Sequence, residues 1–99
     1  MLNISKNQNG TELTFALEGR LDTITAPQFE SEIKESIDDV KELIIDCEKL
    51  EYISSAGLRV LLSAQKMMNA KGSMVVRNVS EEVMEIFDVT GFVDILTIE

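Results

Sequence analysis

Two apolar periodicities alternate along this chain, and the segments that carry them are joined by short connections. Leu2 and Ile4 recur at every second residue, as do Leu13, Phe15 and Leu17, with Asn9-Gly10 between the two runs. Successive side chains of a strand point to opposite faces, so each run presents one apolar face. Asn-Gly between two such runs marks a hairpin, because both residues tolerate the positive φ angles of a tight turn. Gly19-Arg20-Leu21-Asp22-Thr23 leaves the second strand, and the period then changes. Ala26, Phe29, Ile33 and Ile37 form a helical stripe with Glu and Lys on the other side, the pattern of an amphipathic helix lying on a sheet. Thr25 is the expected N-cap, with Gln28 as its capping-box partner. Pro27 suits a first turn, where its missing N–H is not needed.

The alternation continues to the end. Leu43-Ile44-Ile45 is a continuous apolar run and reads as a strand covered on both sides, as in a parallel sheet. A second helix is expected from about Ser55 to Lys71, burying Leu58, Leu61, Ala64 and Met68, with Gly72 as its stop. Met74-Val75-Val76 is a further strand. Ser80 caps a third helix, with Glu81 and Glu82 at the positive end of its dipole. Val83, Ile86 and Phe87 form its apolar face and Gly91 ends it; Val93, Ile95 and Leu96 begin a last strand. The order is β-β-α-β-α-β-α-β, an α/β fold with a small mixed sheet packed by helices and right-handed crossovers. With 99 residues, residues 1–99 form a single domain.

The residue inventory excludes several chemistries. Lys plus Arg number 9 and Asp plus Glu 18, for a net charge of −9. Such a surface repels phosphate backbones and anionic headgroups, so neither direct nucleic-acid binding nor membrane insertion is expected, and partners with basic docking surfaces are favoured. The chain has no His, which removes Ser-His-Asp and Cys-His catalysis. Cys47 is the single cysteine, so there is no internal disulfide and no zinc set; it reads as a small buried side chain. Asp46 and Glu48 lack the supporting cluster that a hard cation needs. A response-regulator receiver domain also places an Asp at a central strand end. It needs acidic residues after its first strand, where this chain has Lys6-Asn7-Gln8-Asn9, and a late Lys that is missing here. No Gly-rich phosphate loop occurs. The expectation is a binding protein with no catalytic residues, no metal and no cofactor. The N-terminal residues lack a signal-peptide layout and no apolar stretch is long enough to span a bilayer, so the protein is expected to be cytoplasmic.

The informative stretch is Leu50-Glu51-Tyr52-Ile53-Ser54-Ser55-Ala56-Gly57-Leu58-Arg59. Four small residues, Ser54 to Gly57, separate an apolar lead-in from an apolar helix. Either serine can cap that helix. The small bulk of Ala56 and Gly57 also leaves a hydroxyl open to a kinase, and a phosphate at a helix N-terminus is electrostatically favoured. Arg59 lies one turn beyond Ser55 on the same face, either to pair with that phosphate or as a solvated docking residue.

Tyr52-Ile53-Ser54-Ser55-Ala56-Gly57-Leu58 resembles the phosphorylation motif of STAS domains, the anti-sigma factor antagonists. Gly19-Arg20-Leu21-Asp22 resembles the family's segment after the second strand, and Phe87-Asp88-Val89-Thr90-Gly91-Phe92 its helix end. The resemblance spans essentially the whole chain. It implies that Ser55 is the phosphorylated serine and that Asp22 lies near the docking surface, where its other role is to tie the loop before the first helix; Ser54, Ala56, Gly57 and Arg59, which surround that serine, are the further expected partner-binding residues. It further implies an anti-sigma factor that is also a serine kinase of the GHKL type, released by phosphorylation, and a PP2C-type phosphatase that resets the complex. Many family members carry Asp before the phosphorylated serine, where this chain has Ser54. That departure leaves a second reading, a constitutive STAS subunit of a membrane transport complex.

Overall fold

The computed structural model describes residues 2–99. Strands β1 (Leu2–Asn9) and β2 (Glu12–Leu21) form the expected hairpin. Its two-residue loop is Gly10-Thr11, one position later than Asn9-Gly10 suggested, and Gly10 alone takes a positive φ, of 66°. Helix α1 (Ala26–Ser36), strand β3 (Glu42–Ile53), helix α2 (Ser55–Asn69), strand β4 (Ser73–Arg77) and helix α3 (Glu81–Thr90) follow. The sheet order is β1-β2-β3-β4, with the first pair antiparallel and the other two parallel. Both parallel crossovers step the same way across the sheet, so right-handedness places α1 and α2 on one face.

That face holds the core. Leu13, Phe15 and Leu17 of β2, Leu43, Ile45 and Cys47 of β3, and Met74 and Val76 of β4 are buried under the helices. Helix α1 docks through Phe29, whose ring meets Phe15 edge-on at 5.4 Å between centroids. A buried phenylalanine contributes about 1.5–3 kcal/mol by removing its surface from water. Val83 and Phe87 of α3 join the same cluster.

The opposite face carries Thr14, Ala16, Ile44, Asp46, Val75 and Arg77, all half-buried. The run Leu43-Ile44-Ile45 is therefore covered on one side, not two; within it the helices lie over Leu43 and Ile45 and leave Ile44 on the open face. β3 also continues beyond its apolar run to Ile53. It does so through two register shifts against β2, where Ala16 pairs Asp46 but Glu18 pairs Lys49, and Gly19 pairs Leu50 but Arg20 pairs Tyr52. Each shift inserts one extra residue on β3, the signature of a bulge. The bulges carry the strand through polar Glu48, Lys49 and Glu51 while Leu50 and Ile53 stay on the core side.

Two helix ends differ from expectation. Helix α2 stops at Asn69 with Ala70 in right-handed geometry, so Gly72 is not a left-handed cap. A Cβ at Gly72 would overlap the Lys41 carbonyl, and glycine is needed there for that close approach. The last strand is also absent among the described residues. Gly91, at φ 81°, ends α3 and leads into a 3-10 turn over Phe92–Asp94. Residues 92, 93, 95 and 96 are apolar without period-two alternation, so they wrap the core through Leu96 and do not extend. Only a single parallel bridge, Val76 to Ile98, reaches the sheet. A clamp of Glu99 on Arg77, 2.8 Å, holds it.

Candidate functional site

β2 and β3 end together, with Leu21 opposite Ile53. The Ser54 N–H donates to the Leu21 carbonyl at 2.9 Å, which fastens the start of α2 to the end of β2. The loop from β2 into α1 and the first turn of α2 therefore share one edge of the molecule.

Ser54 is the N-cap of α2. Its backbone is extended, its Oγ accepts from the Gly57 N–H at 3.4 Å, and its carbonyl accepts from the Leu58 N–H at 2.9 Å. This divides the two serines. Ser54 is half-buried and held at both ends, whereas Ser55 is the first helical residue and exposed. The Ser55 hydroxyl has no hydrogen-bond partner among the described residues. Ala56 packs half-buried against the core. Gly57 is buried, and a Cβ there would lie 2.8 Å from both Ile53 Cγ1 and Leu21 Cγ. The small size of Gly57 thus seats the helix on the sheet and holds Ser55 outward. Arg59 is exposed one turn beyond Ser55, with no carboxylate within ion-pair distance among the described residues.

Asp22 organises the neighbouring loop. Its Oδ1 accepts from the Ile24 N–H, the Thr25 N–H and the Thr25 hydroxyl, each at 3.1 Å. The Thr25 N–H is the main reason its carboxyl titrates below the usual range; partial burial opposes that, and the Thr25 hydroxyl and the Ile24 N–H reinforce it. The single Thr25 hydroxyl proton is shared between Asp22 Oδ1 and the nearer Arg20 carbonyl, at 2.8 Å, while Oγ1 accepts from the Asp22 N–H at 2.9 Å. The capping box with Gln28 does not form, because the Thr25 side chain is committed to the loop behind it. The Arg20 guanidinium lies 4.3 Å above the Tyr52 ring, a cation–π contact across the two strands.

This tied loop presents Ile24, 86 % exposed. The sequence carries no signal for it, since Thr23-Ile24-Thr25 reads as an ordinary lead-in to α1. Its exposure follows from the Asp22 hydrogen bonds. Asp46, on the open sheet face, accepts from the Glu48 N–H and the Asn78 side chain, and no cluster fit to hold a metal exists among the described residues. Cys47 is buried, and desolvation, with the Asp46 charge adding to it, pushes its thiol up to about 12; it is no nucleophile. Among the described residues no helix is long and apolar enough to cross a membrane.

The sequence model of the STAS domain matches residues 3–99. The chain belongs to the STAS domain family. An anti-sigma-B factor antagonist of Listeria monocytogenes is 31% identical, the match covering 99% of this chain and 90% of the relative. The anti-sigma-B factor antagonist of Bacillus subtilis is 29% identical over 98% of this chain and 90% of its own length. Among solved structures, the anti-sigma factor antagonist SpoIIAA in its unphosphorylated form superposes with a TM-score of 0.78 at 19% identity, covering 98% of this chain and 87% of that one. The Bacillus SpoIIAA in the phosphorylated form gives 0.77 at 20% identity, over 98% and 91%. Within this STAS chain the three motif segments do not converge. Gly19–Asp22 and Tyr52–Leu58 meet at one edge. Phe87–Phe92 ends α3, where buried Phe87 and left-handed Gly91 serve the fold.

Proposed function

We propose that this STAS domain is an anti-sigma factor antagonist whose docking edge is the first turn of α2 together with the β2–α1 loop, switched by phosphorylation of Ser55. The observation that carries the reading is the division between the serines: Ser54 is consumed as the helix cap, and Ser55 is exposed with an uncommitted hydroxyl. Relatives that cover nearly the whole chain are antagonists of anti-sigma factors, and a structural neighbour exists in both phosphorylation states.

Unphosphorylated, the edge is small and nearly neutral around Ser55 and Ala56, with Ile24 as an apolar contact and Arg59 and Asp22 at its sides. A phosphoryl group adds about −1.5 to −2 charges at a helix N-terminus, where the backbone N–H groups favour it. The fold tolerates the group and the partner does not. The partner is an anti-sigma factor that acts as serine kinase, of the GHKL type, and a PP2C-type phosphatase restores binding.

The test is incubation with the cognate kinase and ATP, phosphate mapping by mass spectrometry, and calorimetric titration of the anti-sigma factor. Phosphate is expected on Ser55, with Ser55→Asp losing binding and Ser55→Ala retaining it. An Ile24→Ser variant should weaken binding about tenfold or more without loss of folding. Phosphate found only on other residues, with Ser55→Ala modified like wild type, sinks the proposal. So does binding insensitive to Ser55→Asp, which would point to a constitutive subunit.

A further inference from the structure

The four large hydrophobic side chains exposed on the described surface are Ile24, Val89, Val93 and Ile95. Ile24 belongs to the edge already discussed. The other three fall within seven residues at the end of α3 and the turn after it, with Val89 77 %, Ile95 46 % and Val93 39 % exposed. Single exposed apolar residues need no explanation, but a cluster does. Gly91 reverses the chain between them, and the 3-10 turn that follows, closed by its own Ile95 N–H to Phe92 carbonyl bond at 3.0 Å, packs against α3.

Charge is concentrated in the same segment. No Lys or Arg follows Arg77, whereas Glu81, Glu82, Glu85, Asp88, Asp94 and Glu99 do. Glu82, Glu85 and Val89 are spaced i, i+3 and i+7, so they share one face of α3. Asp94 sits between Val93 and Ile95. The cluster is therefore an apolar strip flanked by carboxylates: Glu99 is paired with Arg77, but Glu82, Glu85 and Asp94 have no cation within ion-pair distance among the described residues.

The strip lies away from Ser55. Ser55 follows the C-terminal end of β3, whereas α3 runs back from the C-terminal end of β4. The chain enters its parallel bridge at Val76 from the N-terminal side of that strand. We propose that this strip docks a basic amphipathic segment of a partner protein, independently of the state of Ser55. Complementary charge would orient the segment and the valine-isoleucine strip would hold its apolar face.

The test titrates isotope-labelled full-length protein, by NMR, with a synthetic helical peptide of Leu and Lys spaced i, i+3, i+4, i+7. Chemical-shift changes are expected at Val89, Val93 and Ile95. A control peptide of equal charge with Ser for Leu should bind about tenfold more weakly or worse. The triple variant Val89→Ser, Val93→Ser, Ile95→Ser and the charge reversal Glu82→Lys, Glu85→Lys should each lose about tenfold, with Ser55→Asp unchanged. Shifts centred on Glu30, Glu32 and Glu35 of α1, equal binding of the control peptide, or a homodimer covering the strip in sedimentation each overturn the proposal. Failure here leaves the Ser55 reading untouched, since that is read by phosphate mapping.

Discussion

Replacing Gly57 with alanine adds one methyl group where the first turn of α2 meets β2 and β3. In an exposed helix the change is favourable by up to about 1 kcal/mol, because alanine loses less backbone freedom. Here the new Cβ would lie 2.8 Å from Ile53 Cγ1, 2.8 Å from Leu21 Cγ and 3.0 Å from the Leu21 carbonyl oxygen. None of the three is the free end of a flexible side chain. Leu21 Cγ is a branch point in a fully buried residue, and the Leu21 carbonyl is held by the Ser54 N–H. Overpacking of this kind costs about 1–3 kcal/mol, so the clash outweighs the propensity gain and the net loss is about 1–2 kcal/mol. For a domain of this size that is a fall in Tm of about 5–15 °C. Urea and thermal unfolding followed by circular dichroism measure it directly. A Tm equal to or above wild type would refute the reasoning, because it would mean that Gly57 is present for access to the serine and not for seating the helix.

The two serines should separate in the same assay: Ser54→Ala loses the N-cap bond and about 0.5–1 kcal/mol, while Ser55→Ala stays within about 0.5 kcal/mol of wild type as an exposed substitution. Asp22 titrates low in the folded protein, so its contribution is full above the ordinary carboxylate pKa and is lost as pH falls through the lowered folded value. Asp22→Asn should accordingly flatten the acid limb of a stability–pH profile, and a carboxyl NMR titration should place the Asp22 midpoint below the ordinary aspartate value. Cys47 should resist a thiol reagent in the native state at pH 8 and react fully in urea. Its raised thiol pKa of about 12 makes the associated stability full below pH 9 and lost as pH rises toward 12.

The elements were legible wherever a side-chain period was long enough to be unambiguous. The stripe Ala26, Phe29, Ile33, Ile37 and the alternation Leu13, Phe15, Leu17 each has one structural meaning, and each is buried as that meaning requires. What the sequence hid depends on tertiary neighbours. Gly72 looked like a helix stop because glycine after a helix usually is one, but its constraint comes from Lys41, in a segment far away in sequence. Val93, Ile95 and Leu96 looked like a strand because a short apolar run cannot distinguish extended chain from a turn wrapped on a core. The continuation of β3 through Glu48 and Lys49 was invisible because a bulge breaks the alternation that identifies strands. At the candidate site the motif was readable and the roles within it were not. Either serine could cap by composition, and the bond from Ser54 to Gly57 is what separates them.

That separation also explains how a single phosphate could act as a switch with no change of fold. Ser54 keeps the helix cap, Gly57 keeps the helix seated, and Asp22 keeps the adjoining loop tied, so none of the structural bonds at this edge passes through the Ser55 hydroxyl. A phosphoryl group there leaves the backbone of the edge in place and adds bulk and negative charge at one point of a nearly neutral surface. On a chain of net charge −9 a phosphate hardly changes solubility, but at a contact it sets like charges together or strands an anion without water, at a cost of several kcal/mol. Micromolar binding is worth only about 8 kcal/mol. A penalty of about 3–4 kcal/mol is then a loss of two to three decades in affinity, enough, on the proposed reading, to release a partner present at micromolar concentration while the domain itself stays folded.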